Sequence, residues 1–356
     1  MRIKTLNFKL ISILLGCLIT ICACDHRPPE PPPPPVNAQA DGIYVLNEGL
    51  FQMNNSTLSY YEFTNNKVTE DLFLEKNHRG LGDVGNDLQI YGSKMYAVVN
   101  NSNRVEVMTK DATSIKAIDL SGKQPRKIAF HAGKAYVSCF DGDVVRIDTT
   151  SLEVDGTVHS GSNPEGLCVC NGKLYVANSG GLNAPNYGTT ISVINLNTFA
   201  VKKEITVSAN PCIVQSYNNQ YVYVCSRGNY GNIPYSFQKI DANSDVVVKD
   251  YQLEVLNMAI YDHYAYLYNY DYSSSASWIK VLDLNTDMIT KENFITDGTN
   301  IQTPYGITVN ALNGDVYIAD AYNFTVNGDV YCFNKDGKKK FSFAAGLNPG
   351  NLLIKN

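Results

Sequence analysis

The side chains best suited to chemistry in this sequence are aromatic rings, amides and guanidinium groups that lie between short apolar runs. Tyrosine combines a flat contact area with a hydroxyl at low cost in rotamer freedom, and asparagine carries both donors and acceptors. Such a set suits a large ligand with apolar and amide surface, although the same side chains also pack and cap loops. The candidate binding residues are Phe51, Met53, Arg126, Asn183, Asn186, Tyr187, Arg227, Tyr230, Tyr235, Tyr270, Tyr272, Tyr305, Tyr322 and Phe324.

Motifs for covalent chemistry are weak. Residues 80–85 match G-x-G-x-x-G, but a dinucleotide site needs a strand before it and a helix after it, and we interpret this segment as a turn between repeats. A glycosidase needs two carboxylates that face each other, whereas acidic residues in turns usually cap the backbone. We therefore predict that the chain is not an enzyme. The acidic residues near the candidates are Glu48, Asp141, Asp143, Glu165, Asp271 and Asp329.

Metal sites are not predicted either. No pair of the five histidines has the spacing of metal ligands, and no loop motif supports calcium at Asp141 or Asp143. The cysteines after residue 24 fall within predicted strands or at the start of one, so we expect buried free thiols. The sequence thus predicts no cofactor.

The elements that position the candidates form a repeat of about 40 to 50 residues that contains only strands and turns. A strand with alternating apolar residues follows each tyrosine strand, and a proline turn with a short strand precedes it, most clearly at 163–167, 210–213 and 303–307. The first tyrosine strand has no such strand before it. We predict an all-β, seven-bladed β-propeller of four-stranded antiparallel blades over residues 41–356, closed by a blade that the N- and C-terminal strands share. The repeated tyrosines are Tyr44, Tyr96, Tyr136, Tyr175, Tyr223, Tyr266 and Tyr317.

In such a blade, the loop into the inner strand and the loop between the second and third strands lie on one face of the ring. Long loops on one face of a rigid scaffold are where binding function concentrates. Because two of the loops are short, we expect a low sector of the rim that a ligand or partner overhangs. The second-to-third loops are predicted at 48–56, 100–104, 140–143, 179–190, 226–235, 270–277 and 321–329.

The N-terminus has the pattern of a targeting segment. Residues 1–9 carry three positive charges, and residues 10–23 form an apolar run that is too short to span a bilayer comfortably. Residues 21–24, Ile-Cys-Ala-Cys, resemble a bacterial lipobox, which implies cleavage after residue 23 and a lipidated Cys24; an ordinary secretory signal is the alternative. Residues 24–40 contain a proline run and are predicted to be a semi-rigid spacer.

The repeat resembles the YVTN or surface-layer-type propellers, also called YncE-like. The resemblance is carried by Asn163-Pro164, Gly172 through Asn178 (Gly-Lys-Leu-Tyr-Val-Ala-Asn) and Ile191 through Asn195 (Ile-Ser-Val-Ile-Asn), and it covers residues 42–356. With its lipobox and proline spacer, the chain is also similar to the BtuG-type surface lipoproteins of Bacteroidetes. That resemblance implies an outer-membrane protein that captures cobalamin (vitamin B12, a corrinoid) for a TonB-dependent transporter.

Two other functions stay open. The same face could dock a protein or a glycan as a scaffold or adhesion module, and lyases and quinoproteins also use propellers. Nucleic acid is not expected as a partner, because the net charge is −5 and no basic run is present. The fold by itself does not choose among the remaining functions.

Overall fold

Each repeat of the sequence folds into one four-stranded antiparallel sheet, or blade, because period-2 apolar strands bury one or both faces against neighbouring blades. The computed structural model describes residues 40–356. The signal peptide at 1–23, Cys24 and the spacer up to residue 39 lie outside the described residues.

The seven blades are numbered from the N-terminus, and their strands are given from the inner edge outwards. Blade 1 contains β28 (Pro349–Lys355), β1 (Gly42–Asn47), β2 (Thr57–Glu62) and β3 (Lys67–Thr69). Blade 2 contains β4 (Gly85–Tyr91), β5 (Lys94–Val99), β6 (Arg104–Thr109) and β7 (Ser114–Asp119). Blade 3 contains β8 (Pro125–His131), β9 (Lys134–Cys139), β10 (Asp143–Asp148) and β11 (Val154–His159). Blade 4 contains β12 (Pro164–Cys170), β13 (Lys173–Asn178), β14 (Thr190–Asn195) and β15 (Ala200–Thr206). Blade 5 contains β16 (Pro211–Tyr217), β17 (Tyr221–Ser226), β18 (Ser236–Asp241) and β19 (Val246–Asp250). Blade 6 contains β20 (Asn257–Tyr261), β21 (Tyr264–Asp271), β22 (Ala276–Asp283) and β23 (Met288–Lys291). Blade 7 contains β24 (Pro304–Val309), β25 (Val316–Asp320), β26 (Asn327–Phe333) and β27 (Lys339–Leu347).

The chain closes the ring as its two ends predict. The C-terminal strand β28 pairs with β1 in antiparallel register, with Tyr44 opposite Leu353. Each inner strand contacts the next around the ring, and β28 returns to β4. The shared blade leaves no inner edge strand unpaired at the junction.

The repeated tyrosines lie on the second strand of each blade and are buried between blades. The Tyr175 hydroxyl donates to Asp245 Oδ1 at 2.6 Å in the outer hairpin of the next blade, and the Tyr44 hydroxyl donates to the carbonyl of Lys110 in the equivalent hairpin of blade 2. In these two blades the tyrosine ring fills the interface between blades while its hydroxyl bonds the neighbouring hairpin. The hydroxyls of Tyr96 and Tyr223, in contrast, are buried with no partner among residues 40–356.

Two local features differ from the sequence predictions. The loop expected at 270–277 is a hairpin at 272–275, because β21 and β22 each continue beyond the expected ends. A short helix, α1 (Leu72–Asn77), precedes β4, where only strands and turns were expected. Asp71 caps it by accepting from the Leu74 amide at 3.1 Å. The interpretation of residues 80–85 as a turn between repeats is confirmed, since residues 80–84 link α1 to β4, which begins at Gly85.

Candidate functional site at the mouth of the ring

A β-bulge after the first residue of most inner strands shapes one mouth of the central channel. In β8, β12 and β24 the pairing register jumps from the proline to the residue three positions later, which leaves two residues unpaired. The strands β4, β16 and β28 each skip one residue. A bulge re-aims the skipped side chains. All the polar ones line the mouth: Asn86, Arg126, Lys127, Glu165, Cys212 and Tyr305.

The crowding of backbones at this point explains the glycines of the repeat. A Cβ on Gly166 would lie 2.5 Å from the carbonyl oxygen of Cys212 in the next blade. A Cβ on Gly350 would lie 2.7 Å from Glu48 Oε1. Both distances are far below ordinary contact, so a side chain at either position would displace its neighbour.

Two carboxylates in the mouth already have partners. Both oxygens of Glu165 accept from Arg126, at 2.9 and 3.0 Å, and the Arg126 guanidinium also lies 4.3 Å from the ring centre of Phe140. Glu48, in loop 48–56, accepts from the Tyr305 hydroxyl at 2.7 Å. These bonds fix the walls of the mouth, a cavity of about 410 Å³.

Burial dominates the proton affinities in the mouth. It raises the pKa of Glu48, and the Tyr305 hydroxyl and the nearby Lys127, Arg126 and Arg227 only partly offset it. Burial also raises the pKa of Tyr305, and the Glu48 carboxylate adds to that effect. Burial raises the pKa of Cys212 to about 12, so this thiol stays protonated and is a poor nucleophile.

Two groups of aromatic rings cover one side of the rim, on blades 4 to 7. They come from loops 179–189, 227–235, 272–275 and 321–326, together with Tyr270 of β21 and Tyr305 of β24, and we call them the aromatic sector. Ring centres lie 5.8 Å apart for Tyr187–Tyr230, 6.3 Å for Tyr230–Tyr235, 4.9 Å for Tyr270–Tyr272, 6.2 Å for Tyr272–Phe324 and 5.6 Å for Tyr305–Phe324.

A second cavity, of about 700 Å³, opens within the aromatic sector. We call it the Arg227 pocket; it lies within the size range of small-molecule sites. Tyr230, Tyr235 and Tyr272 form its walls. It adjoins the mouth, because Arg227, Leu256 and Tyr272 line both cavities. A ligand larger than either cavity could therefore fill both.

The structure brings together seven of the candidate residues around these two cavities. Their positions follow from the bulges and from the loops that follow β17, β21 and β25. The Arg227 pocket and the mouth are lined by Arg126, Arg227, Tyr230, Tyr235, Tyr272, Tyr305 and Phe324.

The other candidates do not line either cavity. Tyr270 is a residue of β21 and is buried against blade 7, so its expected place in a loop was wrong. The Tyr322 hydroxyl donates to Asp329 and holds its own loop. Tyr187 reaches the site only through Tyr230.

The amide and apolar candidates of the outer loops also lie apart. The Asn183 side chain donates to the Ser162 hydroxyl at 2.8 Å, and the backbone N–H of Asn186 donates to the backbone carbonyl of Asn183. Both bonds therefore shape loop 179–189. Phe51 and Met53 are 63% and 62% exposed at the tip of loop 48–56.

Several lining residues escaped the sequence analysis as candidates. Asn86, Lys127, Glu165 and Cys212 could have been found, because each follows the first residue of an inner strand, where the bulge occurs. Glu48, Leu256 and Asn269 carried no such signal, since their place at the cavities depends on how neighbouring blades meet.

Other expectations about reactive groups can be compared with residues 40–356. The six cysteines in this range are free and buried, as predicted. No group of three or more histidine, cysteine, aspartate or glutamate residues in the described range could hold a metal ion. Within the same range, no helix has the length and apolarity needed to cross a membrane.

Comparison with known proteins gives a family but no activity. Residues 41–346, which run from the start of β1 almost to the end of β27, match the family described as a domain of unknown function (DUF5074). The chain belongs to the DUF5074 family. No curated protein matches it.

Solved structures share the architecture of this DUF5074 protein. A quinonprotein alcohol dehydrogenase-like protein from Bacteroides thetaiotaomicron aligns with a TM-score of 0.65 and 16% identity, over 89% of this chain and 79% of that chain. Hydrazine synthase from Kuenenia stuttgartiensis aligns with a TM-score of 0.60 and 14% identity, over 73% of this chain and 86% of that chain. At such identities the likeness shows the propeller fold alone.

Proposed function

We propose that this DUF5074 propeller is a binding protein rather than an enzyme, and that it captures a large ligand across the mouth and the Arg227 pocket. One observation carries the proposal: rings from blades 5, 6 and 7 converge on two adjoining cavities, and internal hydrogen bonds fix the walls of the mouth. Rigid aromatic walls bind with little loss of conformational entropy.

A corrinoid such as cobalamin is the ligand that we favour. It presents a broad apolar ring edged with amides, which suits tyrosine faces beside asparagine and carboxylate groups. The resemblance of the sequence to BtuG-type lipoproteins points to the same ligand, whereas the resemblance to YVTN-type propellers concerns the fold. The BtuG-type resemblance also supports a lipid-anchored protein on the outer membrane that passes its ligand to a TonB-dependent transporter.

Calorimetric titration of the purified protein with cyanocobalamin tests the ligand. We expect binding at micromolar concentration or tighter, and red colour that stays with the protein through desalting. The Phe51→Ala variant serves as a control because Phe51 is on the same face but lines neither cavity. If no heat is released at micromolar concentrations, the corrinoid proposal is wrong.

A protein partner on the same face is favoured by the exposed loop tips. Phe51, Met53 and Leu182 are all more than 60% exposed and lie on two different loops outside the cavities. Large apolar side chains at loop tips are typical of protein interaction sites. A docking surface there is consistent with transfer to a transporter, and equally with an adhesion role.

Photo-crosslinking tests the partner. A benzophenone amino acid in place of Phe51 should capture an outer-membrane receptor in cells, which mass spectrometry would identify. The same group in place of Val248, which is exposed on the outer strand β19, is the control. Identical adducts at both positions would contradict a docking role for the loop tips.

A further inference from the structure

Polar atoms without partners gather at the Arg227 pocket. Arg227 Nε and Asn269 Oδ1 are buried with no hydrogen-bond partner among residues 40–356, and both residues line the pocket. Ser226 and Ser236, which pair at the ends of β17 and β18 next to Arg227, also carry unpartnered hydroxyls, but they do not line the pocket. Folded proteins rarely leave buried polar atoms unpaired, so this cluster favours a polar group supplied from outside.

The carboxylates that face Arg227 are not its partners. Glu165 is held at both oxygens by Arg126, and Glu48 accepts from Tyr305. Asp271, at the edge of the pocket, accepts from its neighbouring serines at 2.5 to 2.8 Å.

Glu254 is the remaining carboxylate of the pocket lining, and it is exposed and makes no ion pair with Arg227 within 4.0 Å. A guanidinium is always charged in proteins, and its donors are matched to planar anions. Among residues 40–356, Arg227 is thus a cation that makes no direct ion pair, although Glu48 and Glu165 lie near enough to interact with its charge.

We propose that Arg227 is the anion-recognition residue of this site, and that its ligands join a carboxylate, sulfonate or phosphate to a flat apolar body. The inference rests on the proposed binding function and names the ligand class within it. The anionic group accepts from Arg227, while Tyr230, Tyr235 and Tyr272 hold the flat body. The phosphodiester of cobalamin is one group of this kind. Partial burial strengthens the ion pair by limiting solvent screening.

Two probes of similar shape, one anionic and one neutral, test the inference. Binding of 2-naphthoate and of 2-naphthamide to the full chain is measured by ligand-detected NMR at millimolar concentration. The wild-type protein should bind the anion about tenfold more tightly or better, as expected for a charge-assisted hydrogen bond. Arg227→Gln should remove this preference while its affinity for the amide is unchanged, and Arg227→Lys should keep part of it.

The control variant is Lys116→Gln, which also removes one positive charge but lies on the outer strand β7 in a surface pair with Glu153. It should keep the full preference for the anion. Circular dichroism and Tm establish that each variant is folded; if Arg227→Gln is not, Arg227→Lys alone must show a reduced preference. Equal binding of both probes to the wild type, no binding of either, or an unchanged preference in the Arg227 variants would overturn the inference.

The outcome is separable from the corrinoid experiment. If naphthoate binds through Arg227 but cyanocobalamin does not bind, the anion-site proposal stands and the corrinoid proposal is wrong. If Arg227→Gln leaves cyanocobalamin binding unchanged and the wild type shows no preference for naphthoate, the corrinoid proposal stands and the anion-site proposal is wrong.

Discussion

The aromatic sector and the opposite side of the rim are built on blades of one design but present different surfaces. On blades 2 and 3 the turns 100–103 and 140–142, which we call the short-loop sector, are short as predicted. There Lys123 bridges Asp141 and Asp143 at 2.8 Å each, and His159 lies 3.2 Å from Asp143. In the aromatic sector, Tyr230 and Tyr272 are more than half exposed, and Arg227 Nε has no hydrogen-bond partner within residues 40–356.

This difference between the two sectors indicates which part of a ring of similar blades is the better candidate for a functional site. In the short-loop sector the charged side chains are paired, Arg104 with Glu106 included, although Asp83 Oδ1 and Arg104 Nε beside turn 100–103 lack a hydrogen-bond partner among residues 40–356. In the aromatic sector, ring faces are exposed and Arg227 makes no ion pair within 4.0 Å among the described residues, so that sector has free energy to gain from a ligand.

The largest expected effect is on ligand binding. Tyr272→Ala removes a ring that lines both cavities, and we expect the affinity for cyanocobalamin to fall by about 2 kcal/mol or more, roughly 30-fold, as for an aromatic hot spot. Asp141→Asn, in the short-loop sector, should leave the affinity unchanged. Calorimetry on both variants measures the difference, and equal losses would erase the functional distinction between the sectors.

A matched pair of buried tyrosines sharpens the comparison at the level of stability. Tyr175→Phe, under the aromatic sector, loses a bond to a carboxylate and should lower the free energy of unfolding by about 1–2 kcal/mol. Tyr96→Phe, under the short-loop sector, removes a hydroxyl without a partner and should cost nothing or stabilise. Urea denaturation measures both; a larger loss for Tyr96→Phe would show that its hydroxyl has a partner in solution.

Ionisation of Asp143 and ionisation of Glu48 should change the stability of the fold in opposite directions. Burial opposes the charge of Asp143, but hydrogen bonds from Lys123 and His159 outweigh burial and lower its pKa. Its ionisation therefore stabilises the fold at neutral pH, and that contribution is lost as pH falls below about 3.8. The raised pKa of Glu48 means that its ionisation opposes folding as pH rises through the folded pKa.

We therefore expect Asp143→Asn to lower Tm at neutral pH, by an amount equivalent to at most about 1 kcal/mol, and Glu48→Gln to raise it. Both differences should vanish in acid, that of Glu48→Gln near pH 4.5 and that of Asp143→Asn at lower pH. Thermal denaturation from pH 3 to 7 measures them. If both variants changed Tm in the same direction at neutral pH, the opposite pKa shifts of Asp143 and Glu48 would be contradicted.

The smallest expected effect concerns the loop tips. Replacing Phe51 and Met53 together by serine removes apolar surface that lines neither cavity. The free energy of unfolding should change by less than about 0.5 kcal/mol, and the affinity for cyanocobalamin by less than about twofold. A marked loss of affinity in calorimetry would extend the ligand site out to the loop tips.

The sequence predicted the fold well because its signals are local and repeated. The tyrosine strands, the proline turns and the shared closing blade each follow from a pattern within one repeat. The loop at 272–275 was placed less well, because its hairpin keeps strand pairing through the polar pair Tyr270–Ser277, which looks like loop sequence. The helix α1 was missed because it is short and depends on burial of Leu72 and Phe73.

By itself, the sequence determined that seven similar blades form a ring and that aromatic and amide groups concentrate on one face. Only the tertiary structure decided which of them meet. The bulges aim Arg126, Glu165 and Tyr305 into one mouth from three different blades, while Asn183 and Tyr322 turn back into their own loops. The reason is physical: a repeat fixes each blade through neighbouring contacts, whereas the site is formed by side chains far apart in sequence whose partners depend on how the whole ring closes.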